Sequence, residues 1–331
     1  MIRREDREAL EHENLSPFAA FADAATRQGE ADSDPLRTAF QRDRDRILHS
    51  KAFRRLSHKT QVFVAPVGDH YRTRLTHTLE VTQIARSIAR ALALNEDLTE
   101  AIGLAHDLGH TPYGHSGETA LSHSLALYQG LDPREHPRLF CHNEQSLRVV
   151  DVLEHDGKGL NLTNEVRDGI LHHTGTKRAA TLEGRIVATA DRIAYVNHDI
   201  DDALRAGLIT SAMLPTSTHT LLGSTHSQRI TTLVQDMIES SDKTGDITMS
   251  PLIWDAMMEL REFLFDKVYL RSNAKFEEPK ATELVCTLFE HYSQHLDELP
   301  EEYMRIAQGE ASVAVVDYIS CMTDRYATAT F

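Results

Sequence analysis

The sequence predicts an all-α protein, a helical bundle with a helical C-terminal extension. Apolar residues recur at helical spacing in several long segments. Strand signals are weak by comparison. Apolar residues make up 41% of the 331-residue chain and charged residues 26%, which is ordinary for a globular protein with a sizeable core.

The predicted helices follow one another along the chain. The second of them begins at Asp97, with Glu100 three residues on as in a capping box, and stops at Gly109. Residues 61–67 are either a short strand or a ribbon, and residues 207–228, rich in Ser, Thr, Gly and Pro, indicate a loop or mobile connector. The apolar periodicity marks residues 81–92, 97–109, 185–203 and 253–264, followed by amphipathic stretches around 281–296 and 301–324.

Composition and charge argue against several classes of protein. The net charge of -15 is unfavourable for general nucleic-acid binding. No apolar run approaches the roughly 20 residues that span a bilayer, and the charged N-terminus lacks the apolar core of a signal peptide. The three cysteines are scattered, so a disulfide framework is not expected. We therefore expect a cytoplasmic protein that binds neither membranes nor nucleic acid.

A basic stretch from Arg37 to Lys59 stands out in this acidic chain, with eight Arg and Lys residues against Asp43 and Asp45. Such a cluster can concentrate an anionic small molecule. It is equally compatible with a solvated helix face on which arginines pair with aspartates, and the sequence leaves both interpretations open.

Polar side chains occupy positions that the helical period assigns to the core. His77, His106 and Asp191 each lie one turn from an apolar residue of a predicted stripe, and Tyr195 and Asp199 continue the stripe of Asp191. An unpaired buried charge is costly, so these groups need partners. Each one taken alone is compatible with an ordinary core residue, but the set favours a shared cation.

The adjacent pair His106 and Asp107 adds two ligands beside one helix end. Neighbouring helical residues point about 100° apart, so both reach one ion only if it lies beside the last turn. We predict a divalent metal held by His77, His106, Asp107 and Asp191. Mixed imidazole and carboxylate ligation suits Mn²⁺, Fe²⁺, Co²⁺, Ni²⁺ or Zn²⁺, with Mg²⁺ less suited to imidazoles.

The segment that follows, residues 110–118, is a constrained loop that enters a new helix. His115 and Glu118 are three residues apart, close enough for the carboxylate to orient the imidazole. A histidine held in this way next to a metal is suited to acid–base catalysis. A capping arrangement at the helix start is the alternative interpretation.

These residues resemble a known family. His77, the His106–Asp107 pair and Asp191 match the HD superfamily of metal-dependent phosphohydrolases, and the chain is more closely similar to the bacterial dGTPase-like proteins from about residue 16 to 331. The matching segments are FQRDRDRILHSKAFRRLSHKTQVF, RTRLTHTLEVTQIARSIA, EAIGLAHDLGHTPYGHSGE, FCHNEQSLR, NLTNEVRDGI, ADRIAYVNHDIDDA and MSPLIWDAMMELREFLFDKVY.

The resemblance implies hydrolysis of a dNTP to a deoxynucleoside and inorganic triphosphate. It implies that His115 and Glu118 are the catalytic pair. It also implies a divalent metal ion as cofactor, with Mn²⁺ or Mg²⁺ expected ahead of Co²⁺, Ni²⁺, Fe²⁺ or Zn²⁺. By similarity to the vertebrate SAM-and-HD-domain hydrolase, Gln61, Tyr195 and Asp199 would contact the sugar. Arg192 stands where that relative has Lys. The residues implied in phosphate binding are Arg74, His142 and Arg192.

Other implications of the resemblance are broader. It implies a homo-oligomer and divides the chain into an N-terminal segment (1–36), an HD domain (37–206), a connector (207–250) and a helical C-terminal region (251–331). An HD-type phosphodiesterase or nucleotidase shares the four ligands and is the alternative function. A non-enzymatic nucleotide-sensing or nucleic-acid-binding protein is disfavoured by the presence of both His115 and Glu118. Base preference is left open.

Overall fold

The computed structural model describes residues 2–30, 34–61, 72–269 and 274–331. Within these ranges regular structure is helical, and β pairing is limited to isolated bridges between Arg27 and Thr163 and between Thr60 and Thr73. The prediction of an all-α fold is confirmed. The short strand predicted at residues 61–67 lies outside the described residues except for Gln61.

The α-helices differ widely in length, and none within the described ranges is both long and apolar enough to cross a membrane. The helices are α1 (Arg4–Asn14), α2 (Ala39–Leu48), α3 (Lys51–Arg55), α4 (Arg74–Ala91), α5 (Glu96–Ala105), α6 (His115–Tyr128), α7 (His142–Arg148), α8 (Asn164–Leu171), α9 (Leu182–Arg205), α10 (His226–Thr244), α11 (Pro251–Leu264), α12 (Ala274–Gln294), α13 (Glu301–Ile306), α14 (Ala311–Ser320) and α15 (Asp324–Thr330). Short 3₁₀ or π turns lie at Ala22–Ala24, Leu56–His58, Val149–Leu153, Glu154–Gly157, Ser211–Met213, Thr218–Leu222, Phe265–Tyr269 and Leu296–Glu298.

Two apolar cores organise the chain. The first is built where α4, α5 and α9 pack on one another, with α2, α8, α10 and α11 around them. The second lies between α6 and the C-terminal helices α12 to α15. The connection from α5 to α6 leaves the first core at Leu108 and enters the second at Tyr113. The loop predicted at residues 110–118 therefore lies between the two cores.

Helix α5 differs at both ends from its predicted bounds. It begins at Glu96 because the Asn95 side chain accepts hydrogen bonds from the backbone N–H groups of Asp97 and Leu98, so the predicted cap at Asp97 is wrong. It ends at Ala105, four residues before Gly109. A Cβ at Gly109 would lie 2.1 Å from the backbone nitrogen of Ser146, so this glycine permits close backbone packing on α7.

Two C-terminal predictions also need correction. Residues 207–250 contain α10, whose N-cap Thr225 forms a reciprocal capping box with Gln228 and whose Leu233 and Met237 are fully buried in the first core. The sequence analysis placed no helix there, since Ser, Thr and Gly dominate its beginning. The amphipathic stretch 301–324 is divided into α13, α14 and the start of α15, with a left-handed turn at Gln308 between the first two.

The basic stretch consists largely of ion-paired arginines. Arg37 lies 2.8 Å from Asp34 and 2.7 Å from Asp45, and Arg44 lies 3.0 Å from Asp45. These contacts agree with the ion-paired helix face that the sequence left open. Lys59 differs from them, because its side chain is fully buried.

Candidate metal centre and active site

Three helices of the first core present the predicted metal ligands to one another. His77 lies one turn into α4, which Thr73 caps through a hydrogen bond from the backbone N–H of Thr76. His106 follows directly after α5, and Asp191 lies in the middle of α9. Because α4 packs on both α5 and α9, the three side chains meet in the interior.

The predicted ligands form a compact group. One ligand atom each from His77, His106 and Asp191 lies within 4.8 Å of the others. His77 Nε2 is 3.0 Å from Asp191 Oδ1, and His106 Nε2 is 3.9 Å from the same oxygen. Asp107 Oδ2 lies 3.7 Å from His106 Nε2, but within 4.8 Å Asp107 groups with His142 and His173 rather than with His77 and Asp191. Two imidazoles and two carboxylates at such distances are a suitable donor set for a divalent transition metal.

Hydrogen bonding leaves His106 ready to bind a cation. Its Nδ1 lies 2.7 Å from the carbonyl oxygen of Gly103, so Nδ1 carries the proton and Nε2 presents a lone pair. Nε2 is buried and has no hydrogen-bond partner among the described residues. A buried acceptor without a donor is costly, and a cation between His106, His77 and Asp191 satisfies it. The residues therefore fit the metal that the family resemblance implies.

The carboxylates of the group are held in their charged form. Burial alone raises the pKa of Asp107, but the charge of His106 when its ring is protonated and that of Arg74 outweigh this effect and lower the pKa well below its usual value. Arg74 is itself buried and donates from Nη1 to Asp107 Oδ2 at 2.6 Å. Burial also raises the pKa of Asp191, but the hydrogen bond with His77 outweighs this effect and lowers it. Ionised carboxylates are the form that binds a metal.

The predicted catalytic pair lies at the outer end of this group. His115 Nδ1 is 3.3 Å from Glu118 Oε2, on the first turn of α6. The His115 side chain is 80% exposed, whereas that of Glu118 is 16% exposed. Glu118 does not cap α6 through its side chain, because its other contacts are with His142, whose Nδ1 lies 3.1 Å from Oε2 and whose backbone N–H donates to Oε1. One carboxylate thus orients two imidazoles.

Histidines missed by the sequence analysis connect the two halves of the site. His173 Nε2 faces His142 Nε2 at 3.3 Å, and its ring is 5.1 Å from that of His106. His110 stacks on His142 at 4.3 Å. Burial lowers the pKa of His173 to about 3, with the neighbouring His106 and His142 adding to the effect, so it is neutral near pH 7. The spacing of residues along the sequence does not indicate His110 or His173, because their contacts with His142 depend on how α6, α7 and α8 pack.

Of the residues implied in sugar binding, Tyr195 and Asp199 follow Asp191 along α9. Tyr195 lies one turn further along α9, and its hydroxyl accepts a hydrogen bond from Arg261 Nε at 2.8 Å. Asp199 is buried, and burial together with the nearby Asp202 raises its pKa well above the usual value. Gln61 Oε1 is buried without a hydrogen-bond partner among the described residues.

Arg192 stands apart from the histidine group and lines a cavity of about 580 Å³. The cavity extends from His173 along the N-terminal half of α9 to Trp254, over whose ring the Arg192 guanidinium lies at 5.8 Å. Two further arginines of the lining, Arg178 and Arg185, pair with Asp246. Of the residues implied in phosphate binding, Arg74 and His142 are in the central group and Arg192 is at this cavity.

The fold and this group of side chains define an HD-domain protein of the metal-dependent phosphohydrolase class. The family model described as the HD domain matches residues 74–196, which include all four predicted ligands. The model described as the phosphohydrolase-associated domain matches residues 247–331.

Curated relatives identify the family more closely. A deoxyguanosinetriphosphate triphosphohydrolase-like protein of Caldanaerobacter subterraneus subsp. tengcongensis is 54% identical over 98% of this chain and 93% of its own length. Proteins of the same description from Desulfatibacillum aliphaticivorans and Clostridium perfringens are each 47% identical over 99% of this chain and 96% of their own. The chain belongs to the deoxyguanosinetriphosphate triphosphohydrolase-like family. A hypothetical protein from Aquifex aeolicus is a distant structural match, with a TM-score of 0.49 and 19% identity over 88% of this chain and 74% of its own.

Replacing His106 by alanine is expected to abolish stable metal binding. The substitution removes the unpartnered Nε2 and with it one of the four candidate donors. Metal content after dialysis, measured by mass spectrometry, should fall from one equivalent to well below that value. His295→Ala, at an exposed histidine, is the control and should retain metal. Unchanged metal content in His106→Ala would contradict the ligand assignment.

The Glu118–His142 pair is expected to stabilise the metal-free fold in a limited pH range. Burial opposes both charges, but hydrogen bonds with His115 and His142 lower the pKa of Glu118, and the bond with Glu118 raises that of His142. The contribution of Glu118 to the free energy of unfolding is present in full above the ordinary glutamate pKa of 4.5 and is lost as the pH falls through its lowered pKa. The contribution of His142 is present in full below the ordinary histidine pKa of 6.5 and is lost as the pH rises through its raised pKa.

The free energy of unfolding should therefore differ most between wild type and Glu118→Gln from pH 4.5 to 6.5, and the difference should shrink on both sides. Urea unfolding of both proteins across this range measures it. A difference that does not change with pH would show that the charged pair is not responsible.

Proposed function

We propose that this protein hydrolyses deoxynucleoside triphosphates to a deoxynucleoside and inorganic triphosphate. The observation that carries the proposal is the position of the His115–Glu118 pair, an exposed imidazole on a carboxylate that is only 16% exposed, beside the candidate metal ligands. A protein that only bound nucleotides would not need an oriented acid–base group there. The names of the relatives, dGTP triphosphohydrolase-like proteins, point to the same substrate class.

His115 would act as the general acid. Cleavage between the α-phosphorus and the 5′-oxygen leaves an alkoxide that needs a proton, and an imidazole held through Nδ1 can supply it from Nε2. Glu118 would keep the ring oriented and stabilise its charged form. A divalent ion bound by the four ligands would supply an activated water and polarise the α-phosphate. We propose Mn²⁺ or Mg²⁺ as that ion.

The direction of α9 supports one orientation for the substrate. Asp191 is at the metal group, Tyr195 and Asp199 lie further towards the C-terminal end, and the cavity lies along residues 185–192 on the N-terminal side. A nucleotide with its α-phosphate at the metal group would place its sugar beside Tyr195 and Asp199. Its outer phosphates would then extend towards Arg192. Arg74 and His142 would contribute positive charge near the α-phosphate.

A protonated or hydrogen-bonding carboxyl at Asp199 would select for a 3′-hydroxyl, because a site built to bind a hydroxyl rejects analogues without it. Tyr195 beside the sugar would leave little room for a 2′-hydroxyl, and Gln61 would also contact the sugar. The cytoplasmic location, the homo-oligomer and the absence of membrane and nucleic-acid partners stay predictions.

The experiment that tests the proposal is incubation of the purified protein with each of the four dNTPs and with GTP, in Mn²⁺ or in Mg²⁺. Ion-pair chromatography and ³¹P NMR resolve the products. Deoxynucleoside with intact triphosphate is the expected result, and it also ranks the bases. Orthophosphate or pyrophosphate would mean that another bond is cleaved. A parallel incubation with cyclic nucleotides and nucleoside monophosphates tests the alternative, and turnover of these substrates alone would favour the phosphodiesterase or nucleotidase function.

His115→Ala is expected to retain metal and lose turnover. Loss of a general acid lowers the rate by about 10²- to 10⁴-fold, and His115 lies outside the four candidate ligands. The value of kcat and the metal content should be measured together, with His123→Ala as the control because it removes an exposed histidine from the same helix. Full activity in His115→Ala would remove His115 from the mechanism.

Arg192→Ala is expected to weaken binding of the triphosphate part of the substrate. A hydrogen bond to a charged group contributes about 1.5–3 kcal/mol, so KM should rise about tenfold or more. Inhibition by inorganic tripolyphosphate should weaken to a similar degree. Arg178→Ala is a matched control, since Arg178 lines the same cavity but is already paired with Asp246. Equal effects of the two substitutions would contradict the proposed role of Arg192.

A further inference from the structure

A C-terminal carboxylate connects two segments of the candidate active site. Asp324, the first residue of α15, accepts a hydrogen bond from the backbone N–H of Tyr113 through Oδ1 at 3.0 Å. Its second oxygen, Oδ2, accepts one from the backbone N–H of Thr60 at 2.8 Å. Both bonds lie in the part of the chain that the structure describes, and neither involves a predicted ligand.

The two segments carry the residues that meet the substrate in the proposed function. Tyr113 lies two residues before His115, and Thr60 lies one residue before Gln61. Thr60 also forms the isolated bridge with Thr73 at the start of α4. The backbone carbonyl of Lys59 accepts a hydrogen bond from the N–H of Arg74 at 3.0 Å. Asp324 therefore contacts both the loop of the catalytic pair and the segment that pairs with the start of the ligand-bearing helix.

The two segments are packed closely enough for this connection to matter. A Cβ added at Gly114 would lie 3.0 Å from Arg74 Nη2 and 3.3 Å from the carbonyl oxygen of Gln61. No side chain separates the loop from the Arg74 guanidinium at this point. A small displacement of Tyr113 would therefore change the distance between His115 and the groups on α4.

The backbone of the loop is also in a conformation that needs support. Tyr113 has a φ of 60°, which is strained for a residue with a Cβ. Besides its N–H bond to the Asp324 carboxylate, the Tyr113 hydroxyl donates to the Asp324 carbonyl at 3.0 Å and lies 2.7 Å from Thr328 Oγ1. Residues of α15 thus hold this tyrosine at both its backbone and its side chain.

A second connection from the C-terminal helices reaches the same loop. The buried Lys59 ammonium donates to the carbonyl of His110 and, at 2.7 Å, to the carbonyl of Ser320 at the end of α14. Burial lowers the pKa of Lys59 to about 8. Its contact with a helix C-terminus favours the charged form, since the partial charge there is negative.

We propose that Asp324 is a positioning residue through which the phosphohydrolase-associated region, residues 247–331, orders the active site. Its carboxylate holds the His115 loop and the Gln61 segment at a set distance from each other. The kinetic consequence rests on the proposed function, whereas the ordering of the two segments does not. The test therefore has one readout that needs no turnover.

Asp324→Asn is the variant that tests the proposal. The asparagine side chain keeps one acceptor oxygen, but its NH₂ group faces the second backbone N–H and cannot accept from it. Amide hydrogen exchange at Thr60 or at Tyr113 should become faster than in the wild type. The value of kcat for a dNTP should fall by about 10- to 100-fold, because a displacement of about 1 Å in a reacting group has effects of that size. Metal content should stay at the wild-type value.

Asp236→Asn is the matched control. Asp236 also accepts from a backbone N–H, that of Ser250 at 2.8 Å, and supports the start of α11 without touching either active-site segment. It should leave exchange at Thr60 and Tyr113 and kcat unchanged. Unaltered exchange at both amides in Asp324→Asn, or an equal fall of kcat in Asp236→Asn, would overturn the proposal.

A second variant covers the case in which Asp324→Asn does not fold. Asp324→Glu keeps the charge and both acceptor oxygens but lengthens the side chain, so the two backbone N–H bonds cannot both keep their wild-type lengths. Exchange at Thr60 or Tyr113 should be faster than in the wild type, with a smaller fall in kcat than in Asp324→Asn and unchanged metal content. Wild-type exchange at both amides together with wild-type kcat in this variant would overturn the proposal. A wild type inactive on every dNTP would contradict the proposed function alone, because the exchange comparison still decides the role of Asp324.

Discussion

The structure depends on how charges are accommodated in the centre of a helical bundle. Arg74 and Asp107 are both buried, and their side chains meet at 2.6 Å. A buried ion without a partner is penalised by several kcal/mol, so each of these residues requires the other. Asp191 depends in the same way on His77. Since the partners come from α4, the end of α5 and α9, the charges constrain how these helices pack as much as the apolar contacts do.

Stability alone does not account for such a group. Well-packed apolar residues of similar volume are often as stable as a buried ion pair or more so. His106 even presents a buried lone pair that no described residue satisfies. Binding of a cation here would offset the free-energy cost of burying the polar side chains, because a metal that binds only the folded state stabilises it. The chemistry of binding explains the group, and the fold supplies the helices that hold it.

The parts of this account that the sequence predicts are those set by local periodicity. Polar residues at core positions of helices indicated His77, His106 and Asp191, and all three meet in the structure. The start of α5 was misplaced because Asn95 and Asp97 are both good caps and local rules do not choose between them. The roles implied for Gln61, Arg74 and the cavity-lining Arg192 came from family resemblance, and spacing did not indicate them.

What the sequence does not predict depends on contacts between distant segments. His173 reaches the site because α8 packs on α5 and α7, and its sequence surroundings carry no ligand spacing. Helix α10 is hidden by a beginning rich in Ser and Thr. The bond from Tyr113 to Asp324 joins residues 211 positions apart. Polar contacts of this kind have no periodic signature, although they hold the loop on which the proposed chemistry depends.

The central claim is that water attacks the α-phosphorus of a deoxynucleoside triphosphate at the group formed by His77, His106, Asp107 and Asp191. Hydrolysis of dGTP in ¹⁸O-labelled water, with mass spectrometry of both products, tests it most directly. The account predicts that the label enters inorganic triphosphate and that the deoxynucleoside is unlabelled. Label in the deoxynucleoside would mean attack at the 5′-carbon, and labelled orthophosphate or pyrophosphate would mean cleavage elsewhere in the chain of phosphates. Either result would contradict the account.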